Sequence, residues 1–233
     1  MSADIRQNLD SLKQRIRKAC ENCDRNPDEI TLVAVSKTKP DSDILEVFEA
    51  GQVHFGENRA KELEDKMESI RESKIRWHFI GNLQTNKIKY IAHRVDWIQS
   101  IHKKKALKEV EKRASAENRI INVLIQVNIS DEDQKSGCIP GEIEKILKYG
   151  QELKSVKVKG LMGMATFTDD MDVVRKEFSL LRKLRSDHEF LNGGAVQLEH
   201  LSMGMTNDLE AAIEEGSTMV RVGTAIFGER NYG

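Results

Sequence analysis

A lysine that ends a buried apolar run is a candidate nucleophile. Lys37 follows the run Ile30-Thr31-Leu32-Val33-Ala34-Val35, so a primary amine on a four-carbon stem sits where a strand meets open solvent. An amine held there can be desolvated, pushed toward its neutral form and used to attack a carbonyl. The competing reading is an ordinary surface charge, because lysines are mostly exposed. Lys39 is the rival amine, but Pro40 follows it and it lies further into the loop. Arg221 also asks for explanation. It lies inside the apolar run Met219-Val220-Arg221-Val222, and a strand there buries its guanidinium or makes it snorkel outward. A buried guanidinium needs a partner, whether a ligand nitrogen, a phosphate or a barrel carboxylate. Two C-terminal segments suit an anion. Ser202 and Thr224 supply hydroxyls, Gly204 and Gly223 let backbone N–H groups approach closely, and Asn207-Asp208 can open a helix whose amino end favours negative charge. Tight turns would use the same glycines.

What could bring residues so distant in sequence together? Residues 5–20 place Ile5, Leu9, Leu12, Ile16, Ala19 and Cys20 on one helical stripe, which Asn26-Pro27 ends. From Ile30 onward a short apolar run, a small or polar turn and a longer charged helical segment repeat. The runs are 32–35, 53–55, 77–80, 97–101, 123–127, 158–162, 197–201 and 219–222, of which 53–55 and 97–101 carry the weakest signal. Helices are expected near 42–50, 58–72, 85–93, 103–117, 140–154, 170–191 and 207–215. Eight strands alternating with helices predict a single parallel (β/α)8 TIM-type barrel, with residues 1–29 as an extra helical segment packed outside it. An open doubly wound sheet is the alternative if one strand is lost. In a barrel the segments after each strand converge on one mouth, and Lys37 on the first strand neighbours Arg221 on the eighth. A Schiff-base lysine, a ring-nitrogen partner and a phosphate cup are the set that pyridoxal phosphate (PLP) requires.

Composition narrows the partners. In 233 residues, 37 Lys and Arg nearly balance 38 Asp and Glu, so no global field attracts nucleic acid or an anionic membrane. The segment His102-Lys103-Lys104-Lys105 reads as a solvated helix face, because Glu109, Glu111 and Glu117 follow on the same helix. The N-terminus lacks the apolar core of a signal peptide and no run is long enough to span a bilayer, which places the protein in the cytoplasm. Cys20 and Cys23 lack a second ligand pair for zinc and, like Cys138, are read as reduced structural thiols. No metal site is expected. The polar loop 131–135 follows the fifth strand, and its Lys135 is a candidate to meet incoming cofactor.

Five segments resemble those of the pyridoxal phosphate homeostasis protein family: 33–40 (VAVSKTKP), 55–58 (FGEN), 77–87 (WHFIGNLQTNK), 201–205 (LSMGM) and 219–228 (MVRVGTAIFG). They occur in the family's order, from about residue 30 to the C-terminus. The resemblance implies a barrel similar to the N-terminal domain of alanine racemase, with PLP held covalently as an internal aldimine. It aligns Lys37 with the aldimine lysine, Arg221 with the partner of the pyridine nitrogen, and Ser202, Gly223 and Thr224 with phosphate contacts. Asn58, His78 and Met205 align with positions lining the same pocket. The implied role is to carry and buffer PLP and pass it to apo-enzymes, without efficient catalysis. Charged helices between the strands leave no clear apolar patch, so a monomer is expected. Chemistry agrees with that role. An arginine donates to the ring nitrogen without giving up its proton, so the cofactor stays a weak electron sink. Racemases of related fold add a catalytic base from another domain, and this chain has no residues left to build one. Two enzyme readings stay open: a PLP-dependent amino-acid racemase, and a lyase using Lys37 directly on a phosphorylated carbonyl substrate.

Overall fold

The computed structural model describes residues 4–130 and 136–228. Asp4 caps the first helix, α1 (Ile5–Glu21), accepting from Gln7 N–H at 3.1 Å, and the expected stripe from Ile5 to Cys20 is buried. The barrel then begins with β1 (Thr31–Val35), α2 (Asp41–Glu49), β2 (His54–Glu57), α3 (Ala60–Ser69), β3 (Arg76–Phe79) and α4 (Ile88–Ile91). It continues through β4 (Trp97–Ile101), α5 (Lys104–Ala116), β5 (Ile121–Gln126), α6 (Ile143–Gly150), β6 (Val156–Met162) and α7 (Met171–Asp187). The last elements are β7 (Val196–Ser202), α8 (Leu209–Glu214), β8 (Met219–Val222) and the short α9 (Thr224–Phe227). All strands run parallel, and the sheet closes in sequence order when β8 pairs with β1.

The eight expected strands are all present, including the two with the weakest signal. The second is displaced toward the C-terminus: Val53 is left out and exposed, while Gly56 and Glu57 join the strand opposite His78 and Phe79. A carboxylate inside a strand was not anticipated, and its partners are Lys66 of α3 and Ser36, which follows β1. The helices expected at 85–93 and 140–154 each open with a tight 3-10 turn, Thr85–Lys87 and Pro140–Glu142. Pro140 stands where no intrahelical N–H is needed.

Alternation along the strands separates two cores. Outward residues such as Leu32, Ala34, Phe55, Trp77, Phe79 and Ile98 pack into one large cluster with the helices. Inward residues form a small separate cluster of Leu124, Met162 and Met219, flanked by Trp97 and Met164. Most such bores are filled by branched aliphatics. Here the period of two also directs His54, His78, Gln99, Ser202 and Arg221 inward. Outside, α1 lies against α2, α8 and α9, tied by Asn8 Nδ2 to the Ile226 carbonyl at 3.0 Å. It covers the flank where β8 meets β1.

Candidate functional site

Register at the closing seam positions the main groups. Thr31, Leu32, Val33 and Ala34 pair with Met219, Val220, Arg221 and Val222. Lys37 follows β1 and Gly223-Thr224 follow β8, so the amine and the segment after the arginine leave adjacent strands at the same end of the barrel. The strands are close enough there that a Cβ on Gly223 would stand 3.0 Å from the Val35 carbonyl oxygen. Gly223 caps α9, whose first N–H groups have no intrahelical acceptor. Thr224 is exposed at the mouth and Lys37 is half-buried. Lys39 donates to the Phe227 carbonyl at 2.9 Å, which commits the rival amine to the last residue of α9.

Arg221 is 4% exposed and has neutral partners: Nη1 donates to Ser202 Oγ at 2.6 Å and Nη2 to the Gly163 carbonyl at 3.0 Å. Among the described residues it forms no ion pair, so the barrel carboxylate allowed for above is not found. Burial lowers its pKa to about 10, against a smaller upward pull from Asp208, which leaves the guanidinium charged at neutral pH. A buried cation without a paired anion is costly, and a site that receives an anionic, nitrogen-bearing ligand offsets that cost.

From Arg221 a hydrogen-bonded chain descends through the bore. Arginine can only donate, so Ser202 Oγ accepts from it and passes its own hydrogen to Gln99 Oε1 at 2.6 Å. The amide nitrogen of Gln99 then faces His78 Nδ1 at 2.8 Å. His78 Nδ1 is therefore the acceptor, and its proton sits on Nε2, 2.9 Å from His54 Nδ1. Burial, followed by the nearby His54 and His200, holds the His78 pKa well below the usual value and keeps the ring neutral. Ser202 Oγ is thus engaged with Arg221 and Gln99. His78 lies inside the bore, reaching Arg221 through two intermediaries.

Asn58 and Met205 occupy the rim. Asn58 is half-buried after β2, and its backbone meets the next loop so closely that a Cβ on Gly81 would fall 2.1 Å from the Asn58 carbonyl oxygen. Met205 is 38% exposed on the loop after β7, where its N–H donates to Asp208 Oδ1 at 2.5 Å. Gly204 supplies a positive φ of 95° in that loop, and a Cβ there would lie 2.5 Å from that of Ala212. Lys135 and its loop lie outside the described residues.

Sequence reasoning missed two sets of residues. One is Gln99 with His54, the middle and lower end of the bore chain; the signal was a glutamine two residues after Trp97, on the same strand face. The other is a buried ionic cluster beside the Lys37 loop. Lys66 Nζ donates to the Ser36 carbonyl at 2.8 Å, Glu57 Oε1 at 2.7 Å and Glu62 Oε1 at 2.8 Å. Ser36 Oγ donates to Glu57 Oε1 at 2.6 Å, and Thr38 N–H to Glu62 Oε1 at 2.5 Å. Burial raises the Glu57 pKa despite Lys66. Burial also pushes Glu62 up, but its hydrogen bonds from Lys66 and Thr38 outweigh that and hold it below the usual carboxylate range. The signal was Lys66 on the buried stripe of Ala60, Leu63 and Met67.

The family described as alanine racemase, N-terminal domain, matches residues 7–231. The chain is 42% identical over 224 residues to the pyridoxal phosphate homeostasis protein of Aquifex aeolicus, covering 96% of this chain and 97% of that one. The PLP-bound structure of PipY from Synechococcus elongatus is similar at a TM-score of 0.84 and 29% identity, covering 97% of this chain and all of PipY. Alanine racemase from Corynebacterium glutamicum shares the fold at a TM-score of 0.70 and 14% identity, but the chain covers only 62% of it.

Proposed function

On the premise that this chain belongs to the pyridoxal phosphate homeostasis protein family, we propose that it binds PLP at the C-terminal mouth of its barrel and carries it. The single observation that bears most on this reading is the β1–β8 seam: Lys37 follows β1, Arg221 lies on the adjacent β8, and Gly223 and Thr224 follow β8 at the same end of the barrel. The residues fit the cofactor. Lys37 is the amine for its aldehyde, Arg221 a charged donor for its ring nitrogen, and the start of α9 with Thr224 the cradle for its phosphate. Asn58 and Met205 line the rim, while Ser202 and His78 act below it through Arg221. When bound, PLP supplies an electron-withdrawing ring and a carbonyl that reacts with amines.

The same residues restrain catalysis. A guanidinium that stays protonated gives the ring nitrogen a hydrogen bond and little positive charge, and the neutral, buried His78 carries no proton to a substrate. A carrier that delivers PLP to apo-enzymes, as a single barrel with negligible turnover of amino acids, accounts for these features.

Borohydride reduction followed by intact-mass and peptide analysis tests the reading. One pyridoxyl phosphate group should be fixed on Lys37, disappear in Lys37→Ala and persist in Lys39→Ala. A reduced adduct on Lys39, or none with the folded protein, would overturn it.

A further inference from the structure

Glu57, Lys66 and Glu62 form a buried charged cluster whose contacts bracket one residue. The Lys66 ammonium has three donors, and all three are used: on the Ser36 carbonyl, on Glu57 and on Glu62. Glu57 in turn receives the Ser36 hydroxyl, and Glu62 receives the Thr38 N–H. The Ser36 carbonyl belongs to the peptide unit before Lys37 and the Thr38 N–H to the one after it. Both peptide units that carry the lysine therefore end on the same ammonium, directly or through one carboxylate.

Two further observations argue that this arrangement positions rather than merely packs. Thr38 has a φ of +65°, a left-handed conformation that a β-branched residue rarely adopts without external restraint. The cluster is also a poor way to fill space. Lys66 is 6% and Glu57 0% exposed, and Glu57 Oε2 has no hydrogen-bond partner among the described residues. Apolar side chains of similar volume would pack there without desolvating charges. What the charges provide is direction, three acceptors held at fixed angles around one point.

We propose that Lys66, acting through Glu57 and Glu62, is a positioning residue that clamps the backbone on both sides of Lys37 and so presents its amine to the carbonyl of the ligand. This rests on the reading of Lys37 as the PLP-bearing lysine. The step affected is condensation of the Lys37 amine with the PLP aldehyde, in which the C–N bond forms and the carbonyl oxygen leaves as water. Noncovalent recognition of ring and phosphate uses other residues and should be independent of the clamp.

The test compares the full-length protein with Glu62→Ala, Glu62→Gln and Lys66→Met. Glu62 side-chain exposure is 21% and it lines an open cleft of about 550 Å³, so its replacement leaves the core intact. The rate of covalent uptake is read by stopped-flow absorbance with PLP, and noncovalent affinity with pyridoxine 5′-phosphate, which lacks the aldehyde. Glu62→Ala should slow uptake about tenfold or more, the scale expected from a small misplacement of a reacting group. Glu62→Gln, which keeps an acceptor for Thr38 N–H, should recover most of the rate, and affinity for the analogue should change less than about twofold. If Lys66→Met is unstable, Lys66→Met combined with Glu57→Leu removes the stranded carboxylate. The clamp requires stability to return without the rate, whereas a purely structural role restores both. Uptake at the parental rate in Glu62→Ala overturns the clamp while leaving PLP carriage standing. Absence of covalent uptake in the parent overturns the underlying reading instead.

Discussion

Trp97 lies flat on His78, with ring centroids 5.5 Å apart and planes inclined by 1°. One face of the imidazole is covered by indole, and both nitrogens are engaged, with Gln99 and His54. A proton added to His78 would have no acceptor on the Gln99 side, since the amide nitrogen there is itself a donor.

The pH dependence of stability follows with a definite sign. In the unfolded chain His78 takes up a proton near pH 6.5, whereas burial holds the folded value well below that. Between the two values the unfolded state binds more protons, so stability falls as the pH falls. His54 and His200, also lowered by burial, act in the same direction. Urea midpoints should hold steady above about pH 7.5 and decline toward pH 5.5, with His78 alone contributing up to about a tenfold change in the folding constant per pH unit. Comparison with His78→Gln cancels contributions common to both proteins, including that of Glu57, whose raised pKa works the opposite way. An equally steep decline in His78→Gln would assign the slope to other groups.

Arg221 should matter for stability as well as for binding. Arg221→Gln cannot reach both Ser202 Oγ and the Gly163 carbonyl, and each buried group left unpaired costs about 1–3 kcal/mol. For a chain of this length each kcal/mol lowers Tm by about 2–4 °C. Scanning calorimetry should show that loss, and gel filtration of PLP-loaded protein should show faster release of cofactor. Since the parental guanidinium has a pKa of about 10, retention should not change between pH 7 and 9 on its account. An unchanged Tm together with unchanged retention would remove Arg221 from both roles.

Cysteine reactivity tests the packing beside the fifth strand. Burial, with help from Glu142, pushes the Cys138 thiol up to about 12, and burial also raises Cys20. Cys23 is only half-buried, with Sγ 3.2 Å from the Ala19 carbonyl oxygen. At pH 8 a thiol reagent should label Cys23 first, and label Cys20 and Cys138 only at the rate of unfolding, while denatured protein should take up three labels. Rapid labelling of Cys138 in the folded protein would contradict its burial.

Which parts of this were legible in the sequence follows from how local each signal is. The helix from Ile5 to Cys20 and the runs that became β1 and β8 could be read because period and apolar content belong to consecutive residues. Lys37 and Arg221 stood out for a similar reason, each being a charge at an apolar run. Ser202 shows the limit. A hydroxyl two residues before a glycine reads as an anion contact, and nothing local shows that its Oγ bonds Gln99 and Arg221, which lie 103 and 19 residues away. Lys66 was hidden likewise, since a lysine on a charged helix looks solvated until Glu57 is placed beneath it.

By itself the sequence determined the alternation of strands and helices, hence the barrel, and the residue types at its mouth. These depend on short-range periodicity and on the right-handed closure of repeated βα units. Only the tertiary structure decided how the charges are spent: which hydroxyl holds Arg221, which tautomer His78 keeps, and which lysine is locked into an ionic cluster. Hydrogen bonds and ion pairs act over about 3 Å, so their partners are set by the closed register of the strands and not by distance along the chain.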